Sequence, residues 1–92
     1  MFTSWGVETA KAYDVEELNK LLEALSEEEA YGMILRAKGI VAGKDGTWIH
    51  FDYIPGEPNV RYGAAGIIGR LCVIGSHIDK HALAELFGVK EG

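Results

Sequence analysis

The stretch Tyr31 to Pro55, YGMILRAKGIVAGKDGTWIHFDYIP, constrains the fold more than any other part of the chain. Two runs rich in apolar residues flank Lys44-Asp45-Gly46, and the glycine suits the left-handed position of a three-residue hairpin loop. Loop length sets the strand register, and the side chains test it. Pairing Gly43 with Thr47 places Val41 opposite Ile49, Gly39 opposite Phe51 and Ala37 opposite Tyr53. One face then gathers Met33, Leu35, Ala37, Val41, Ile49, Phe51 and Tyr53, which is a core face. The other gathers Ile34, Arg36, Lys38, Ile40, Trp48, His50 and Asp52, with Lys38 directly across from Asp52. A two-residue Asp45-Gly46 loop would slip the pairing by one and turn Arg36 and Lys38 toward the core. The three-residue loop is therefore the expectation.

At 92 residues the chain suffices for one domain with a single modest core. Its hydrophobic fraction of 48% argues against disorder. The longest apolar stretch, near Gly66 to Ile74, is broken by Arg70 and is too short to span a bilayer. No basic start followed by an apolar run marks a secretory signal. A lone Cys72 excludes an internal disulfide and fits a reducing compartment. Charge is uneven: residues 1–30 carry two lysines and eight acids, a net −6, and the remainder carries +1, giving −5 overall. So acidic a first third disfavours phosphate backbones and anionic lipid, and neither nucleic acid nor membrane is expected as a partner.

In chain order, Phe2 to Thr9 is rich in β-formers and reads as a first strand. It starts with no linker before it, so the expectation is a domain cut from a longer protein; Met1 as a true start is the alternative. Asp14 is a natural N-cap, Glu17 completes a capping box, and Tyr13 and Leu18 stand at the staple positions. Val15, Leu18, Leu21, Leu22 and Leu25 recur at helical spacing, while Glu16, Glu17, Lys20 and Glu23 are left for solvent. Ser26 to Glu29 reads as a short turn or a loop, with its acids solvated. After the hairpin, Ile54-Pro55-Gly56-Glu57 matches a type II turn. Asn59 to Tyr62 can form a strand with Pro58 at its start, and the glycine-rich run from Gly63 to Gly69 reads as a connection. Arg70 to Gly75 is apolar on both alternating faces, as in a strand covered on both sides or lying centrally. A last helix is capped by Asp79, stapled by Ile78 and Leu83, buries Leu83, Leu86 and Phe87, and ends at Gly88. The predicted order is β-α-β-β-β-β-α. This is an α+β fold: a mostly antiparallel sheet of four to five strands with two amphipathic helices packed on it.

Motifs for chemistry are few. Gly39 to Lys44 is one residue short of a phosphate loop, and Asp45 stands where its Ser or Thr belongs. Gly63, Gly66 and Gly69 miss the dinucleotide spacing. His77 and His81 are four apart with Cys72 nearby, but Asp79 caps the helix between them, so the two rings need not share a face. Cys72 in an apolar strand behaves as a small hydrophobe, and His50 lies a strand away. No nucleophile stands beside a base, and no pair of acids is singled out. From the residues alone, this is a small α+β module without a declared activity.

A resemblance goes further. Leu35-Arg36-Ala37-Lys38-Gly39-Ile40 is similar to the Arg-x-Lys-Gly-aromatic/aliphatic segment of the CobW C-terminal domain. Arg70-Leu71-Cys72-Val73-Ile74-Gly75, followed by Asp79 and Leu83, resembles that domain's closing strand and helix, and Phe2-Thr3-Ser4-Trp5 its opening. The likeness covers most of the chain. One departure is Ala42-Gly43, where relatives often place a tryptophan soon after the Lys-Gly pair. What the resemblance implies is a single domain over residues 1–92, excised from a cytoplasmic P-loop GTPase of metal trafficking or metallocofactor assembly. In that family the phosphate loop and Cys-rich metal motif lie in the GTPase domain, so no catalysis and no cofactor is expected here. The expected role is a non-catalytic interaction or regulatory module contacting the parent's GTPase domain or a metalloprotein client. The alternative is a direct metal-binding domain using His50, Cys72, His77 and His81.

The outer hairpin face is the expected contact surface. Trp48 is a large aromatic surrounded by Arg36, Lys38, His50 and Asp52, the makings of a binding hot spot. The alternative for Trp48 is plain packing on Ala42 or against the helices.

Overall fold

The fold is described from a computed structural model over residues 1–90. Among the described residues, five strands and two helices follow from the sequence patterns, and a short strand and a short helix join them. The strands are β1 (Thr3–Thr9), β2 (Ala12–Tyr13), β3 (Met33–Gly43), β4 (Trp48–Ile54), β5 (Glu57–Gly63) and β6 (Gly69–Ser76). The helices are α1 (Val15–Ala24), α2 (Glu28–Tyr31) and α3 (Lys80–Phe87). The main sheet runs β1-β6-β3-β4-β5 and every pairing along it is antiparallel, while β2 adds a short parallel bridge to β3. The α+β architecture expected from the sequence is thus present, with β2 and α2 as additions. Among the described residues, no helix is long and apolar enough to cross a membrane.

The hairpin has the expected register. Ala37 faces Tyr53, Lys38 faces Asp52, Gly39 faces Phe51 and Val41 faces Ile49. Gly43 N–H donates to Thr47 O at 2.7 Å, and Gly46 takes φ 88° at the left-handed position of the loop. Within the loop, Asp45 accepts from the Thr47 backbone and hydroxyl, which holds its carboxyl below the usual range.

At the start of β3 the expected faces need correction. The pairing with β6 shifts between Ile34 and Arg36, a bulge at Leu35. One extra residue reverses which side chains point inward. Ile34, expected outside, is buried at 4%, and Met33, expected in the core, is 48% exposed. Leu35 is only half-buried. Phe2 also lies outside the first strand and is exposed.

The helices cover one face of the sheet. Asp14 caps α1 with a complete capping box, and Asp79 caps α3 through Ala82 N–H at 3.0 Å. Leu18, Leu22 and Leu25 from the first helical segment, and Leu83, Ala84 and Phe87 from α3, meet Trp5, Val41, Ile49, Phe51, Leu71 and Val73 in one core. Phe87 is its centre: its ring centroid lies 6.0 Å from Trp5 and 6.3 Å from Phe51. The last helix ends at Gly88 in the left-handed conformation, as expected. β6 is central, between β1 and β3, but only one of its faces is covered: Leu71 and Val73 are buried, whereas Ile74 is 38% exposed.

Tyr13 ties the β2 bridge to the end of α3. Its ring is fully buried and its hydroxyl donates to Phe87 O at 2.7 Å, satisfying a terminal helix carbonyl. Burial first, and the Glu17 carboxylate second, raise the phenol from 10.0 to about 12. Because the folded state prefers the neutral phenol, this contribution is fully present below pH 10 and is lost as the pH climbs from 10 to about 12. Tyr13→Phe should cost about 1–3 kcal/mol at neutral pH by stranding the carbonyl. It should also flatten the alkaline part of the stability profile. Parallel wild-type and variant curves between pH 9 and 12 in denaturant melts would contradict this role.

Candidate functional site

With the helices on the core side, the other sheet face has the β5–β6 connection folded onto it. Strand alternation decides what this face displays. One rung across the strands is Arg70 on β6, Ile40 on β3, His50 on β4 and Arg61 on β5. The next is Cys72, Lys38, Asp52 and Asn59. Between them lies a hollow of about 360 Å³, with Gly39, Phe51 and Leu71 beneath it.

The five residues expected at the contact surface all project from this face, but they do not form one cluster. Asp52 accepts from Arg36 at 3.4 Å and pairs with Arg61 at 2.9 Å. Lys38, although opposite Asp52 in register, forms no ion pair with a described residue. Trp48 stands toward the loop end, one rung beyond His50, and is half-buried. It is paired across the hairpin with Ala42. A Cβ added at Gly66 would sit 3.1 Å from the Trp48 ring, so the β5–β6 connection lies across it.

His50 helps to hold that connection. Its Nε2 lies 2.9 Å from Ala64 O. A carbonyl can only accept, so Nε2 carries the proton in this arrangement. A Cβ at Gly63 would fall 2.5 Å from the same ring, and the absence of a side chain there lets the imidazole lie flat on β5. Ile67, at the tip of the connection, is fully exposed.

The residues weighed for a metal are dispersed. Cys72 lies half-buried on the open face with His50 across β3. His77 lies beyond the end of β6, outside α3, with φ 55° and its Nδ1 3.0 Å from Ser76 Oγ. His81 is on α3, with Nε2 2.7 Å from Glu85. Among the described residues no group of three or more His, Cys, Asp or Glu could hold a metal ion. Gly39 to Lys44, compared above with a phosphate loop, is strand and hairpin loop.

Sequence reasoning missed Arg61, Arg70 and the Gly63–Gly66 segment as parts of this face. Arg61 and Arg70 occupy outward positions of strands that were themselves legible. What was not legible is the strand order that brings β5 and β6 to flank the hairpin.

Residues 2–89 match the family model described as the cobalamin synthesis protein CobW C-terminal domain. The chain belongs to this family. The fold of this CobW C-terminal domain is also similar to part of the Zn(II)-bound YjiA GTPase from E. coli, with TM-score 0.73 and 22% identity over 97% of this chain. A Zn(II)-bound triple mutant of YjiA GTPase gives TM-score 0.76 and 20% identity over 95% of this chain. The chain spans 30% and 29% of those two structures. No curated protein matches the sequence.

The hydrogen bond from His50 makes the cover over Trp48 testable. His50→Ala should cost no more than about 1 kcal/mol in stability. It should nonetheless speed amide exchange across residues 64–68 relative to the β3–β4 ladder. Unchanged exchange in that segment would show that the histidine does not hold it.

Proposed function

We propose that this chain is the non-catalytic interaction and regulatory module of a CobW-type GTPase engaged in metal trafficking or metallocofactor assembly in the cytoplasm. Its partners are the parent's GTPase domain and a metalloprotein client, and it carries no resident cofactor. The observation that carries this reading is the division of the sheet: one face is consumed by the core, and the other presents Lys38, His50 and Asp52 around a hollow, with Trp48 and Arg36 on the same face beyond it. Family membership supports it, as does the likeness to a portion of a GTPase chain rather than to a whole one. A half-buried aromatic amid arginine and charged side chains is the composition of interface anchors.

The chain alone should bind neither GTP nor ATP in calorimetry, since its glycine-rich segments are strand, hairpin and a sheet-face connection. Trp48→Ala should weaken association with the parent's GTPase domain by about tenfold or more, within the range of a hot-spot truncation. The melting temperature should stay nearly unchanged. Micromolar nucleotide binding by the chain alone, or a large loss of stability with association per folded molecule intact, would overturn the reading.

A further inference from the structure

The arginines and the acids of the first two helices lie on opposite sides of the sheet. All three arginines of the sequence, Arg36, Arg61 and Arg70, project from the open sheet face, together with Lys38. Seven of the fourteen acids, Asp14, Glu16, Glu17, Glu23, Glu27, Glu28 and Glu29, lie instead on or beside α1 and α2. Four of the nine basic residues thus stand on the face that no helix covers, beside the acids Glu8, Asp52 and Glu57.

Around the hollow these groups are spread out. Arg70 and Arg61 stand at the two ends of one rung, three strand spacings apart, or about 14 Å. Arg70 is 3.1 Å from Glu8 and Arg61 is 2.9 Å from Asp52, so each keeps donors beyond its one carboxylate. Lys38 on the adjoining rung is exposed and has no ion-pair partner among the described residues. Ile40, 38% exposed, is the apolar spot between the arginines.

We propose that this hollow receives an acidic polypeptide segment laid across the strands, its carboxylates meeting Lys38 and the two arginines and an apolar side chain resting on Ile40. The proposal rests on the reading of this face as a docking surface and names the chemistry of what docks. The spacing selects the class of ligand. The two arginine backbones are about 14 Å apart, and each guanidinium is held by its own carboxylate, Glu8 or Asp52, which disfavours convergence on one small anion; roughly four extended residues span the distance. A long polyanion such as a nucleic acid would run past the hollow and meet the protein's net negative charge over far more of its length than a short acidic segment does.

The probe is a synthetic peptide of roughly eight residues alternating glutamate and leucine, with a lysine–leucine peptide and a DNA duplex as comparisons. Amide shifts should move at Lys38, Ile40, His50, Arg61 and Arg70 with the acidic peptide only. Affinity should fall about tenfold between about 0.05 M and 0.5 M salt, and by a similar factor in Lys38→Glu, whose melting temperature should stay near wild type. Shifts confined to the helices, salt-independent binding, or equal or tighter binding of the DNA duplex would overturn the proposal. A parallel titration with the parent's GTPase domain separates this proposal from the docking reading beneath it. If Trp48→Ala weakens that association while Lys38→Glu and salt do not, the acidic segment falls and the docking surface stands. If neither variant weakens it, both fall.

Discussion

The ring of Phe51 fills the space that a side chain at Gly39 would need, a Cβ there lying 2.5 Å from it. An aromatic folded over a cross-strand glycine favours one register, because a slip by one residue would expose the ring and bury Lys38. From the opposite side Phe51 stacks near Phe87, which itself approaches Trp5. One contact thus connects the central hairpin, the last helix and the first strand. Tyr13 then secures the end of that helix through its carbonyl.

Fixing this register also decides what the far side of the sheet can be. Once Val41, Ile49, Phe51 and Tyr53 point inward, Lys38, Ile40, His50 and Asp52 must point outward. The helices have a single sheet face to bury against, and they use it fully. The remaining face keeps its arginines, its partly exposed Ile40 and Ile74, and a half-buried tryptophan with the glycine connection across it. An open sheet face of this kind is a fitting place for a partner in a domain too small for a second core.

Features set by near neighbours in the chain were legible in the sequence. The hairpin register followed from a three-residue loop and a period of two. Both long helices followed from Asp14, Glu17, Asp79 and Gly88, whose capping geometry is local. The misses are non-local. The bulge that turns Ile34 inward and Met33 outward arises in the pairing of β3 with β6, which lie far apart in sequence. The cover over Trp48 depends on where the β5–β6 connection settles, and Gly63 and Gly66 make it possible only once His50 and Trp48 are beneath them. The strands carrying Arg61 and Arg70 were legible, yet the place of these residues around the hollow needed the strand order β6-β3-β4-β5.

Residue-resolved hydrogen exchange tests most directly the division between the core face and the proposed docking face. The isotopically labelled chain would be compared alone and with the GTPase domain proposed as its partner. Added protection should map to amides of the β5–β6 connection and to the strand segments carrying Lys38, Ile40, Trp48, His50, Arg61 and Arg70, while α1 and α3 stay unchanged. Protection centred on α1 or α3, with the outer-face strands unaffected, would contradict the account.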